Sequence, residues 1–155
     1  MTGTSSPAET TPEPRRSSTG WRRMLVPINS LNDRSHIDGA LRAYIDSWAT
    51  GDVTARVALF ADDVVVEDPA TITRARGKEQ LIAHLSVGIP ANWDLTFTYV
   101  RAAINGDEAI LTYRVGLKIP DALPGELLVN AHVSFGADGL ITSFRAFFDT
   151  ESISE

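Results

Sequence analysis

A chain of 155 residues, 43% hydrophobic and 22% charged, has the length and balance of one domain that can bury its own core. Its net charge of −6 excludes the basic surface that nucleic-acid binding needs, and no apolar run approaches the ~20 residues of a membrane span, so neither partner is expected. The absence of cysteine removes disulfides, thiolate metal sites and cysteine nucleophiles, and His36, His84 and His132 are too scattered for a metal-binding spacing, so no metal is expected.

Residues 1–33 read as a disordered tail. Met1 to Gly20 is rich in Ser, Thr, Pro and Glu, without the apolar periodicity needed to offset the entropy of ordering it. Arg15-Arg16 and Arg22-Arg23 are followed only by Met24-Leu25-Val26 before Pro27, shorter than the ~7-residue apolar core of an export signal, and a cytoplasmic location is expected. The tail holds four Arg against Glu9, Glu13 and Asp33, so the acidity belongs to the domain expected over residues 34–151, with 152–155 a short second tail.

The spacing of Ile37, Leu41, Tyr44, Ile45 and Trp48 predicts an amphipathic helix from Ser35 to about Ala49, with Ser35 and Asp38 as a capping-box-like start. Gly51 ends it, and Asp52 caps a short helix over Val53 to Phe60. Next comes Ala61-Asp62-Asp63-Val64-Val65-Val66-Glu67-Asp68-Pro69, an extended strand by its three β-branched valines and stopped by proline. Alternation puts Asp68 on the side of Val64 and Val66, and Glu67 on the other. A carboxylate at the end of an apolar row is a candidate general base, because desolvation raises its pKa towards neutrality; Asp-Pro is also a common way to begin a surface turn.

Ala70 to Arg76 reads as a loop, and Gly77-Lys78-Glu79-Gln80 opens a third helix to about Val87. Beyond Gly88 the pattern is β throughout. Strands are expected over Leu95–Ile104, Glu108–Ile119, Glu126–Phe135 and Leu140 to about Phe148, joined by turns at Asn105-Gly106-Asp107 and Gly136 to Gly139 and by a Pro120–Gly125 loop. Helices first and a meander afterwards make an α+β domain, a curved mixed or antiparallel sheet wrapped around the N-terminal helices to leave a cone with an apolar pocket.

With these elements in place the chain resembles the ketosteroid isomerase family, within the nuclear-transport-factor-two-like, SnoaL-like superfamily. Leu41-Arg42-Ala43-Tyr44-Ile45, Ala58-Leu59-Phe60-Ala61-Asp62-Asp63, Val66-Glu67-Asp68-Pro69, Gly77-Lys78-Glu79-Gln80 and Ser143 to Phe148 carry the resemblance, which covers roughly Ser35 to Glu151. Most specific is Val-Glu-Asp-Pro with its Asp 24 positions after a helix tyrosine. The resemblance implies Asp68 as base and Tyr44 as oxyanion donor. It implies removal of a proton α to a carbonyl, a dienolate, and return of the proton elsewhere, with no cofactor. It also implies a small apolar carbonyl substrate of the 3-oxo-steroid kind and a homodimer formed through the outer sheet face.

Trp48, Val66, Leu85 and Trp93 are expected to touch the substrate from the helices and the pocket rim. Ala131, Val133, Phe144, Ala146 and Phe148 are expected to do so from the last strands. The chain departs from the family pattern at Ala131, where a second, protonated Asp would stand; Trp93, Asn130 or water are the candidates to replace it. Gly116 and Ala146 occupy the places of the two Asp that epoxide hydrolases of this fold use. Polyketide or polyether cyclisation, an epoxide-opening tailoring reaction and non-catalytic ligand binding remain the alternatives. Deleting residues 1–23 should leave the melting temperature nearly unchanged in a thermal scan; a drop of several degrees, equivalent to about 1 kcal/mol in a domain of this size, would contradict the tail reading.

Overall fold

The apolar stripe of the first helix is the axis on which the domain is built. In the computed structural model, which describes residues 2–5, 7, 30–149 and 151, helix α1 (Arg34–Thr50) buries Ile37, Leu41, Tyr44 and Ile45 along one side. Its start lies one step earlier than the capping-box reading placed it. The Asp33 carboxylate accepts from Ser35 N at 3.1 Å, so Asp33 is the cap and Ser35 lies inside the helix. Gly51 closes the helix in the left-handed region at φ 68°, as expected of a helix-ending glycine.

Asp52 caps helix α2 (Val53–Val57) by accepting from Ala55 N at 2.9 Å. This helix is shorter than expected. Phe60 already belongs to strand β1 (Phe60–Glu67), where its ring is buried beside Tyr44 and Phe144. Burial in the sheet outweighs the continuing helical pattern.

Thr73–Arg76, expected to be loop, forms strand β2 antiparallel to β1. It is a short edge strand with two arginines and only Ala75 fully buried, features that weaken its signal in sequence and also discourage further pairing at that edge. Helix α3 (Lys78–Val87) follows Gly77 at φ 86°. Four long strands complete the chain: β3 (Asp94–Asn105), β4 (Glu108–Lys118), β5 (Gly125–Phe135) and β6 (Ile141–Phe147).

The six strands run in the order β2-β1-β6-β5-β4-β3, antiparallel except where β1 lies parallel to β6. That parallel seam pairs Val66 with Phe144 and Glu67 with Arg145. It brings the end of β1 against the last strand, which sequence order alone does not reveal. The sheet is unclosed, and the helices cover its inner face to give the α+β cone. Ile37, Leu41, Val64, Leu111, Val133 and Ile141 are its largest fully buried side chains. Among the described residues no helix is long and apolar enough to cross a membrane, and no three His, Cys, Asp or Glu side chains converge as a metal cluster would.

Most of the expected tail, residues 8–29, lies outside the described residues. Ser30 to Asn32, placed in that tail by the sequence reading, are pinned instead to the β3–β4 hairpin. The Asp107 carboxylate accepts from Leu31 N at 3.0 Å, from Asn32 N and Nδ2 at 2.9 Å, and from Ser30 Oγ at 3.1 Å. The Leu31 and Asn32 donors hold the Asp107 carboxyl below its ordinary 3.8. Asp107→Ala should therefore lower the melting temperature at pH 7, where the ionised carboxylate favours the folded state. The gap from wild type should close as pH falls below 3.8 and the carboxylate protonates; an equal gap at both pH values would contradict the assignment.

Candidate active site

Strand alternation decides which acid at the end of β1 faces inward. Glu67 turns out: its Oε1 accepts from Thr71 N at 3.1 Å, and its Oε2 pairs with Arg145 Nε on the neighbouring strand. Asp68 turns in, beside Val66, and its peptide to Pro69 is cis. Its backbone is fixed on both sides. Asp68 N donates to Ile72 O at 3.1 Å, and Asp68 O accepts from Arg74 Nε at 2.7 Å. Its carboxylate accepts no hydrogen bond from any described residue.

The slot it faces is walled by Tyr44 and Trp48 from α1, Arg56 from α2, Phe60 and Val66 from β1, Leu81, His84 and Leu85 from α3, and Phe144 from β6. Its volume is only ≈ 50 Å³. Trp48, Arg56, His84 and Leu85 also wall an outer hollow of ≈ 360 Å³ that continues to Gly51, Val53, Gly88 and Ile89.

Burial shapes the electrostatics of the slot. Desolvation pushes the Asp68 carboxyl up, with Arg74 and His84 pulling the other way. Desolvation also pushes the Tyr44 phenol up to about 12, reinforced by Asp68 and opposed by Trp48 and Arg56. Tyr44 therefore stays protonated, a hydrogen-bond donor, at any physiological pH. Its ring is held by Phe144 at 4.8 Å between centroids and by edge contacts with Trp48, Phe60 and Tyr113. Burial likewise raises the Tyr113 hydroxyl, which lies next to Tyr44. Among the described residues the buried Trp48 Nε1 has no partner at full hydrogen-bond geometry, and the group it acts on is the Tyr44 hydroxyl.

Of the positions expected to touch substrate, Tyr44, Trp48, Val66, Asp68, Leu85 and Phe144 do meet in the slot. Ala131 and Val133 do not: both are fully buried core residues. They pack in the same core cluster as the rings of Tyr44, Tyr113 and Phe144 and do not line the slot. Trp93 is 41% exposed in the turn before β3, its backbone N–H donating to Pro90 O, and it lines neither the slot nor the outer hollow. Ala146 and Phe148 border a separate hollow with Pro69, Leu128 and Asn130. Asn130 stays on that other face, accepting from Thr112 Oγ1 at 2.8 Å, because the β4–β5 register runs without a bulge. His132 lies outside the slot, against Glu108 Oε1 at 2.9 Å.

Four slot residues escaped the sequence reading: the apolar Phe60 and Leu81, and the polar Arg56 and His84. Arg56 stands three positions after Val53 on α2, and both border the outer hollow. His84 stands three after Leu81, on the face that α3 turns to the slot. A charged or titratable residue on an apolar helix face was the available signal for Arg56 and His84.

A desolvated carboxylate and a buried phenol thus share one apolar slot inside the cone. The chain belongs to the SnoaL-like domain family, which matches residues 41–144, and it is ketosteroid-isomerase-like within it. It is 30% identical over 116 residues to the steroid Delta-isomerase of Nocardioides simplex, an alignment covering 74% of this chain and 90% of that protein. The fold also matches the Delta 5-3-ketosteroid isomerase of Mycobacterium sp. (TM-score 0.64, 23% identity, 77% of this chain and 97% of that one). A LEH-like epoxide hydrolase of M. tuberculosis matches as well (TM-score 0.64, 21% identity, 76% and 85%).

The raised pKa of Asp68 has a consequence for stability. Above its folded-state pKa the carboxylate is charged and desolvated, which disfavours folding; below 3.8 it is neutral in both states. Asp68→Asn should therefore raise the melting temperature at pH 7, and the gain should vanish near pH 3. A variant less stable than wild type at pH 7 would contradict the desolvated-carboxylate reading.

Proposed function

We propose that the protein is a cofactor-independent isomerase that shifts a double bond in an apolar carbonyl compound of the 3-oxo-steroid kind. The observation that carries this reading is the Asp68 carboxylate, desolvated and free of hydrogen bonds from the described residues, in the same slot as a Tyr44 phenol that stays protonated. Asp68 takes the proton on the carbon between the carbonyl and the isolated double bond. Electrons move into the dienolate, and the same carboxyl returns the proton at the far end of the conjugated system. Tyr44 Oη–H donates to the enolate oxygen. Trp48 Nε1–H, a buried donor beside the Tyr44 hydroxyl with no fully formed hydrogen bond among the described residues, is the second donor in place of the Asp that Ala131 replaces.

The slot alone is too small for such a substrate, since ligand sites span about 300–1,000 Å³. The reacting end occupies the slot and the remainder of the molecule lies in the outer hollow. The identity to a curated steroid Delta-isomerase favours this reaction over cyclisation of a polyketide or polyether, the second reading. Epoxide opening in the hydrolase manner has less support: Arg114 is paired with Glu126 Oε1 at 3.2 Å outside the slot, and Gly116 and Ala146 carry no acid. Dimerisation through the outer sheet face belongs to the same proposal, with Ile110, Leu128 and Phe147 exposed on β4, β5 and β6.

The test is conversion of a 5-ene-3-ketosteroid to its conjugated enone, followed by ultraviolet absorbance. Asp68→Asn should lower kcat by at least about 10²-fold with the fold intact. Tyr44→Phe should lower it by about 10²–10³-fold, and Trp48→Phe by less. Wild-type protein that turns over no such ketone, or full activity in Asp68→Asn, would overturn the isomerase reading.

A further inference from the structure

A pocket for a neutral, flat, apolar molecule has no use for a buried cation, yet Arg56 is one. The residue is 4% exposed, and its guanidinium forms a wall of both the slot and the outer hollow. Among the described residues no carboxylate lies within ion-pair distance of it; Asp52 is near enough to favour its charge without pairing. Nε donates to Ser47 Oγ at 3.0 Å and Nη2 to Ser47 O at 2.9 Å, so two edges of the fork are anchored to α1. The guanidinium carbon sits 3.4 Å from the ring centroid of Trp48, whose ring also stacks on Phe97 at 4.6 Å. Those two distances require Arg56 and Phe97 to take opposite faces of the indole. The cation is thus locked by hydrogen bonds and stacking, while Nη1 has no hydrogen-bond partner among the described residues.

Burying an unpaired charge is strongly unfavourable, and folded proteins rarely keep one that no ion or ligand satisfies. A guanidinium presented with a free edge is suited to one ligand chemistry above others, a carboxylate, whose planar oxygens match the fork. The acid of the pocket stands elsewhere: Asp68 lies at the inner end, and the cations that act on it are Arg74 and His84, not Arg56. The pocket is therefore polar along its length, with a carboxylate at the inner end and a guanidinium where slot and hollow meet.

We infer that the natural ligand is an apolar carbonyl compound bearing a carboxylate, whose acid group is held by Arg56 Nη1 while its reacting carbon faces Asp68. The inference rests on the reading of this cavity as the substrate pocket and extends it by naming a charged substrate class. Arg56 is a binding residue here and touches no reacting atom. It also sets the direction of entry, since a ligand acid turned towards Asp68 would meet a second carboxylate.

The experiment compares acid and methyl ester of the same ligand, titrated calorimetrically into the full chain at pH 7. One pair is a 3-oxo-4-ene steroid with a free side-chain carboxyl and its methyl ester. The other is decanoic acid and methyl decanoate. The acid should bind at least about tenfold more tightly than its ester, the effect of one charge-assisted contact. Arg56→Gln should abolish that preference and Arg56→Lys should keep part of it, with circular dichroism reporting whether each variant folds. Acid and ester of equal affinity in the wild type would overturn the inference while leaving the isomerase reading in place. Preference for the acid in the linear pair, with neither steroid bound, would support it and remove the steroid reading. Acid preference persisting in a folded Arg56→Gln would overturn it by placing the anion on His84 or another cation, and no binding in either pair would overturn it as well. If Arg56→Gln fails to fold, the wild-type pairs and Arg56→Lys still decide.

Discussion

The desolvation of Asp68 is the constraint on which the site depends. A carboxylate in water has no need of a proton at neutral pH and makes a weak base, whereas one facing Val66, Leu81 and Phe144 is held in surroundings that favour its neutral form. Two features keep it there against that preference. Glu67, one residue back, is locked outward by Arg145 across the parallel β1–β6 seam. Asp68's own backbone is fixed by Ile72 and Arg74. A one-residue slip of β1 would exchange the two acids, so the register that pairs Glu67 with Arg145 also selects which acid faces the slot.

Tyr44 supplies the complementary half by the same physics acting on a different group. Burial makes its phenolate costly and so preserves the O–H as a donor, and its aromatic neighbours leave the ring no alternative position. Carboxylate and phenol therefore belong to separate elements, the end of β1 and α1. They meet because the sheet curves around the helix. One shared low-polarity slot thus favours the neutral form of both the carboxyl and the phenol.

The outer half of the pocket follows a different rule. Trp48 is wedged between Phe97 and Arg56, and Arg56 in turn is tied to Ser47. This stack joins α1, α2 and β3 at the mouth, and it spends a buried charge in doing so. Stability alone would be served as well by an apolar side chain, since buried charges seldom stabilise better than their hydrophobic counterparts. A pocket with opposite charges at its two ends fits a ligand with polarity of its own.

Local rules were enough to place the two principal residues. Helical spacing puts Tyr44 on the buried side of α1, and strand alternation ended by proline turns Asp68 inward and Glu67 outward; both follow from bond geometry within a single element. Gly51 and Asp52 were legible for the same reason, since caps are set by side chains within a few residues. β2 was not legible, because a four-residue edge strand takes its pairing from β1 rather than from its own composition. Alternation also told correctly that Ala131, Val133 and Ala146 face inward, but facing inward is shared by core and pocket. Which of them a ligand could reach depends on the rings of Tyr44, Tyr113 and Phe144, brought from three different elements to fill the interior. Arg56 and His84 joined the site for a similar reason: α2 and α3 are far apart in sequence, and only their packing over the open side of the sheet turns two separate helix residues into walls of one cavity.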